Sequence, residues 1–219
     1  LELWGFGPQS RGERIPSAEE ISALRANVGH QHLRIDGQQL CKDAAVAVDL
    51  GSIAAGYSVD RVAARLTELD VHSFLLDITG ELKAVGRKPD GSAWRIAIEV
   101  PRDDLREASQ ILALDGLAVS TSGDYRNYFE KDGRRYSHTL NPQTGAPIDH
   151  RLASVTVVDT SAQRADGLST LLMVLGPEQG EAFAERAAIA ALFISRSADS
   201  FVSHATTQFN RRFGAGAKQ

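Results

Sequence analysis

A chain of 219 residues, 42% hydrophobic and 24% charged, has the composition of an ordinary globular protein with enough apolar material to bury a core in one domain or two. Its formal net charge of -4 offers no field attractive to a polyanion, which argues against nucleic-acid binding. Cys41 is the single cysteine, which excludes an intrachain disulfide and a Cys-x-x-Cys metal site, and no apolar run approaches the roughly 20 residues that span a bilayer.

The opening Leu1-Glu2-Leu3-Trp4-Gly5-Phe6-Gly7-Pro8 has neither a Met nor the basic-then-apolar pattern of a signal peptide, and it reads as the continuation of something that precedes it. Ser17-Ala18-Glu19-Glu20 is a capping box, so a helix is expected from there to about Val28, stopped by Gly29. Residues 51–69 carry Ile53, Tyr57, Val59, Val62, Ala63 and Leu66 at mostly helical spacing and predict a second, longer helix. The short apolar run at 74–78 and the segments 81–86 and 94–100, the last two flanking Pro89-Asp90-Gly91, predict three adjacent strands. Further strands are expected at 117–121, 137–140 and 153–159, then helices at 162–175 and 178–186, and a strand at 189–195. The tail 209–219, rich in Arg, Gly and Lys, is expected to fray. The alternation of periods predicts an α+β fold of mixed sheets with flanking helices.

Chemistry concentrates at loops and element ends, where backbone groups can be presented. Asp49-Leu50-Gly51-Ser52-Ile53-Ala54-Ala55-Gly56-Tyr57 leads into the long helix, either offering N–H groups to an anion or simply entering a helix capped by Asp49. Asp77-Ile78-Thr79-Gly80-Glu81 lets a ligand approach the backbone, and it is also an ordinary hairpin turn. Ser120-Thr121-Ser122-Gly123-Asp124-Tyr125 gathers three hydroxyls able to hold phosphate oxygens, or ends a strand and caps a helix. Tyr136-Ser137-His138-Thr139-Leu140-Asn141-Pro142 carries a histidine, a residue that in a strand more often has a structural place than a catalytic one. Asp166 and Thr170, four residues apart on an expected helix, face one side and form the hard-oxygen pair that Mg prefers, although they also suit a capped helix start. His30, His32, His72, His150 and His204 show no metal-ligand spacing.

Taken in order, the segments Asp49-Leu-Gly-x-Ile-Ala-x-Gly-Tyr-x-Val-Asp60, Ser-Thr-Ser-Gly-Asp-Tyr-Arg, Tyr-Ser-His-x-x-Asn-Pro-x-Thr-Gly and Ala-Asp-x-x-Ser-Thr resemble the FAD:protein FMN transferases, the ApbE-type flavin transferases. The resemblance runs from Trp4 to near the end of the chain. It implies two subregions with a flavin cleft between them, in a transferase domain over 1–219 that lacks the family's N-terminal part. It implies Mg held by the Ala54 carbonyl, Asp166 and Thr170, and FAD, as substrate, held at Gly56, Tyr57, Asp60, Gly80, Glu81, Ser122 and Gly123. His138 takes the proton-transfer role. The implied reaction moves FMN from FAD to a Thr or Ser hydroxyl of a target flavoprotein in a membrane redox complex, releasing AMP. An Mg-dependent FAD pyrophosphatase and a non-catalytic FAD carrier are the alternatives. The implied location is periplasmic, anchored to the inner membrane by a lipid on the missing part. Ser52 stands where a second glycine is usual, Ala55 where a lysine is usual, and Asp77 and Thr79 where an Asn and a Gly are common.

Overall fold

The computed structural model describes residues 1–7, 12–102, 104, 107–198 and 200–214. In chain order they form α1 (Ala18–Arg25), β1 (Leu33–Asp36), β2 (Gln39–Lys42), α2 (Ala54–Glu68), β3 (Phe74–Ile78), β4 (Glu81–Val85), β5 (Trp94–Glu99) and β6 (Ala108–Leu114). There follow β7 (Leu117–Gly123), β8 (Tyr128–Lys131), β9 (Arg134–Ser137), β10 (Leu152–Asp159), α3 (Ala162–Arg186), β11 (Ala190–Ser197), β12 (Ser200–Ala205) and α4 (Thr207–Phe213). The mixture is the α+β class expected. The chain divides into two units, Leu1–Asp49 with Asn127–Asp149 and Leu50–Arg126 with His150–Gln219.

The first unit holds α1 and two antiparallel hairpins, β1–β2 and β8–β9. The capping box is present as read: Ser17 Oγ accepts from the Glu20 N–H at 3.3 Å, and the Glu20 carboxylate accepts from the Ser17 N–H at 2.8 Å. The helix ends at Arg25, three residues short of Val28. Trp4, Phe129 and Tyr136 form the core with Phe6, Ile21, Leu140 and Ala146 against them. Phe129 stacks on Tyr136 with centroids 4.9 Å apart, and the Trp4 indole N–H donates to the Gly145 carbonyl at 2.8 Å. The strand expected at 137–140 lies earlier, at Arg134–Ser137, because the Asp132-Gly133 turn, with φ of 53° and 72°, sets the register of the hairpin.

The second unit is built on a six-stranded antiparallel sheet in the order β12-β11-β10-β7-β4-β3. Neighbouring residues of β7 point to opposite faces: Ala118 packs with Val59 of α2 and Ala162 of α3, while Val119 packs with Ile96, Ile98, Leu112, Leu114 and Phe209. The sheet is therefore covered on both sides, which accounts for the unbroken burial of β10 from Leu152 to Val158. Of the three strands expected side by side, only β3 and β4 pair, through the turn Thr79-Gly80 whose two residues both have positive φ. β5 pairs instead with β6 and folds over the sheet face, where its apolar residues find cover; a single bridge, Arg87 to Ala93, links its approach to the end of β4.

The two helices expected at 162–175 and 178–186 are present as the two halves of α3, separated by a kink at the non-helical Gly176 (φ 78°, ψ -178°), which Pro177 follows. The kink ends the first helical segment, which leaves the Met173 carbonyl, one of its last four, without a helical donor. His150 supplies one: Nε2 lies 2.9 Å from the Met173 oxygen, and because a carbonyl only accepts, that nitrogen carries the proton. The ring sits where a side chain on residue 176 would go, its Cδ2 2.7 Å from an added Cβ. The tail expected to fray from Phe209 is helical as far as Phe213: Thr206 Oγ1 caps α4 by accepting from the Phe209 N–H, and Phe209 is buried in the core. Residues 215–219 lie outside the described residues.

Candidate active site

Within the second unit, α2 and α3 meet at Gly56. The helix begins at Ala54 with Ile53 in the cap position and no side-chain cap, so Asp49 does not cap it. Gly56 is buried, and an added Cβ would collide with the Ala162 carbonyl oxygen and lie 2.8 Å from the Asp166 Cβ. Only a glycine lets the first turn of α2 come this close to α3. The Gly56 N–H points across the crossing and donates to Asp166 Oδ2 at 3.0 Å.

Asp166 is 5% exposed, and this N–H is the one hydrogen bond its carboxylate receives among the described residues. Burial raises its carboxyl above the usual range, and the Gly56 N–H offsets part of that. Glu81, half-buried at the start of β4, is raised as well, first by burial and then by the negative charge of Asp166. Two carboxyls in the same field with few internal donors form a site that a cation would relieve.

Against α3 lies a cluster of hydroxyls. Ser169 Oγ is buried, donates to the Asp166 carbonyl at 2.9 Å, and lies 3.2 Å from Ser120 Oγ and 2.8 Å from Ser122 Oγ. Ser122 Oγ lies 3.3 Å from Thr170 Oγ1. Ser122 and Gly123 belong to β7, an interior strand of the sheet, and no helix follows them, so the hydroxyl-rich segment is a strand end rather than a helix cap. The Ala54 carbonyl, in the first turn of α2, accepts from Ser58 Oγ at 2.8 Å.

The structure thus brings Gly56, Asp166, Thr170 and Ser122 into one hydrogen-bonded neighbourhood, with Glu81 inside the field of Asp166. The other residues stand differently. Tyr57 is 51% exposed on α2, and Gly80 is exposed at the tip of the β3–β4 hairpin, where its N–H donates to Asp77 Oδ1 at 3.0 Å. Gly123 ends β7 with the Tyr125 ring against it. Asp60 directs both oxygens to its own chain. It accepts from Lys83 Nζ at 2.6 Å, Ser161 Oγ at 2.7 Å, and the N–H groups of Ala162 and Gln163 at 3.0 and 3.1 Å. It thereby ties α2 to the start of α3. Lys83 escapes a reading by spacing, because its partners lie 23 and 77 residues away; Ser120 had a signal in the hydroxyl-rich segment and Ser169 in its place beside Thr170, but their contact, 49 residues apart, had none.

His138 belongs to the first unit, one residue past β9. Its Nδ1 lies 2.9 Å from the Asn127 carbonyl, which can only accept, so Nδ1 carries the proton and Nε2 keeps a lone pair. The same carbonyl accepts from the His138 N–H at 3.1 Å, which holds the ring's position at both ends.

The donors near Asp166 fit a small hard cation. Among the described residues no three His, Cys, Asp or Glu side chains converge, so what is offered is oxygen: the Asp166 carboxylate and the Thr170 hydroxyl on one side of α3. That is the chemistry suited to Mg, which completes its shell with water and phosphate oxygens.

The comparisons agree in kind. The model described as ApbE family matches residues 1–193. A protein of Vibrio cholerae named FAD:protein FMN transferase is 47% identical over 210 residues, covering 95% of this chain and 63% of its own length. An Escherichia coli protein of the same name is 40% identical over 214 residues, covering 95% and 61%. The crystal structure of Pseudomonas stutzeri flavinyl transferase ApbE, apo form, superposes with a TM-score of 0.90 at 65% identity, covering 98% of this chain and 67% of that one. The chain thus spans a little over three fifths of the length of these two curated relatives.

Proposed function

The chain belongs to the ApbE family, and from that premise we propose that it carries the catalytic part of an enzyme that moves the FMN half of FAD onto a Ser or Thr hydroxyl of an acceptor protein. The observation that carries the reading is Asp166: a buried carboxylate with one internal donor, facing the same side of α3 as Thr170. Held by Asp166, Thr170 and the Ala54 carbonyl, Mg would neutralise the charge that grows on the pyrophosphate oxygens. The acceptor oxygen bonds to the FMN-side phosphorus as the bond from that phosphorus to the bridging oxygen breaks, and AMP leaves with that oxygen. The base role we assign to His138 on the strength of the family pattern; with its Nδ1 proton on the Asn127 carbonyl, its Nε2 keeps the lone pair that would take the hydroxyl proton.

Tyr57, Gly80, Glu81 and Gly123 are the residues we assign to the flavin, on the strength of the family pattern. Gly56 and Asp60 act from behind, one by admitting α3 and the other by holding it. An acceptor in a membrane redox complex and a periplasmic place of action are part of the same reading and rest on the resemblance alone; no helix among the described residues is long and apolar enough to cross a membrane.

The test is incubation of the chain with FAD, Mg and a flavoprotein acceptor, followed by AMP assay and a denaturing gel viewed for flavin fluorescence. AMP together with a fluorescent acceptor band is the expected result. AMP without the band would make the protein an FAD pyrophosphatase, and retained FAD without AMP would make it a carrier.

A further inference from the structure

We infer that Ser169 is a positioning residue that turns the lone pairs of Thr170 toward the cation, and that it does so through Ser122. The inference rests on the metal assignment made above. It follows from counting protons, since each hydroxyl has one to give.

Ser169 Oγ lies 2.9 Å from the Asp166 carbonyl, which can only accept, so the Ser169 proton is committed there. Toward Ser120 and Ser122 it can then act only as acceptor. Ser122, at 2.8 Å, must spend its proton on Ser169. Toward Thr170, at 3.3 Å, Ser122 has only lone pairs left, so Thr170 is the donor. The Thr170 proton is drawn toward β7, and both of its lone pairs face away from Ser122. A hydroxyl whose proton pointed the other way would present hydrogen to a cation and repel it.

The chain of donors has a fixed direction because it ends on a carbonyl, and Ser169 is the link that anchors it. Full burial of Ser169 removes water as a competing partner. Ser122 takes a new place in this arrangement: its proton is spent inward, so its hydroxyl serves Thr170 and is not a donor to a phosphate oxygen. Ser120 provides the internal control. It too donates to Ser169, at 3.2 Å, from a buried position on β7, but it is not on the path to Thr170.

The experiment is titration of the chain with Mn(II), followed by the electron paramagnetic resonance signal of the free ion, in variants whose folding is checked by thermal melting. Ser169→Ala and Ser122→Ala are expected to weaken Mn(II) binding about 10-fold or more, in the range seen when partners of metal ligands are removed. The double variant should be no weaker than either single one, because both break the same chain. Ser120→Ala should stay within about twofold of wild type. Equal loss in Ser120→Ala, or unchanged binding in Ser122→Ala, would overturn the proposal. Should Ser169→Ala fail to fold, the pair Ser122→Ala and Ser120→Ala decides it. Asp166→Ala separates the two levels: if it abolishes binding while Ser169→Ala and Ser122→Ala bind Mn(II) as the wild type does, the metal site stands and the orienting role falls. Wild-type binding in Asp166→Ala, or none in the wild-type chain, would remove the metal assignment and this inference together.

Discussion

At Asp60 and Asp166 the fold treats two carboxylates in opposite ways. Burial is the largest influence on Asp60 and would raise it, but Lys83, Ser161 and the N–H groups of Ala162 and Gln163 outweigh burial and hold the carboxyl below its usual range. A depressed carboxyl contributes stability that is present above its unfolded pKa, near 4, and is lost as pH falls through the folded value. Asp60→Asn should therefore cost about 1–3 kcal/mol at neutral pH, with wild type and variant converging in acid, as urea unfolding at the two pH values would show. Asp166, raised by burial, has the reverse sign: its contribution is present below the unfolded pKa and lost as pH rises through the folded one. Asp166→Asn should accordingly raise the melting temperature of the metal-free chain at neutral pH, while abolishing any further rise on adding Mg. A lower melting temperature would show that the charge is already compensated within the fold. For His138, the free Nε2 predicts a rate loss of roughly 100-fold in His138→Ala with FAD affinity little changed, and a saturated rate left intact would make it a binding residue instead.

Helix α3 shows how an interruption is met from another part of the chain: His150 Nε2 serves the Met173 carbonyl, while its buried Nδ1 has no partner among the described residues. Because His150 Nε2 donates to a carbonyl at the end of the first helical segment, His150→Ala should cost about 1–3 kcal/mol, measured by urea unfolding. Sequence pattern placed the division of α3 at Gly176-Pro177, where the structure has it, but the His150 contact with the Met173 carbonyl leaves no trace in local spacing. The same limit explains what else was legible. The capping box, α2, β3, β10 and the Asp166–Thr170 spacing are local signals, and they were readable. β1 and β2 were not, because Ile35 and Leu40 face solvent and give no alternation to read. β6 follows a charged stretch and begins on polar residues. The hydroxyl chain through Ser169 joins residues 47 to 49 positions apart, so only the fold reveals it.

The two units contain one tryptophan each, Trp4 in the first and Trp94 in the second, so single-tryptophan variants can report on them separately. The second unit has a sheet covered on both faces, whereas the first relies on a small aromatic core and a helix with no buried residue. Fluorescence of the Trp94→Phe chain should therefore lose its folded signal at lower urea than that of the Trp4→Phe chain, and coincident transitions would mean that the two units unfold as one. The units are also interleaved, since residues 127–149 complete the first unit from within the span of the second. Trp4 donates to Gly145, 141 residues downstream. At synthesis speeds of about 5–20 residues per second, the segment around Trp4 precedes its partner by on the order of ten seconds. Throughout that interval Trp4, Phe6 and Ile21 have no Phe129 or Tyr136 to pack against, so these apolar side chains stay uncovered until the second segment of the unit has been made.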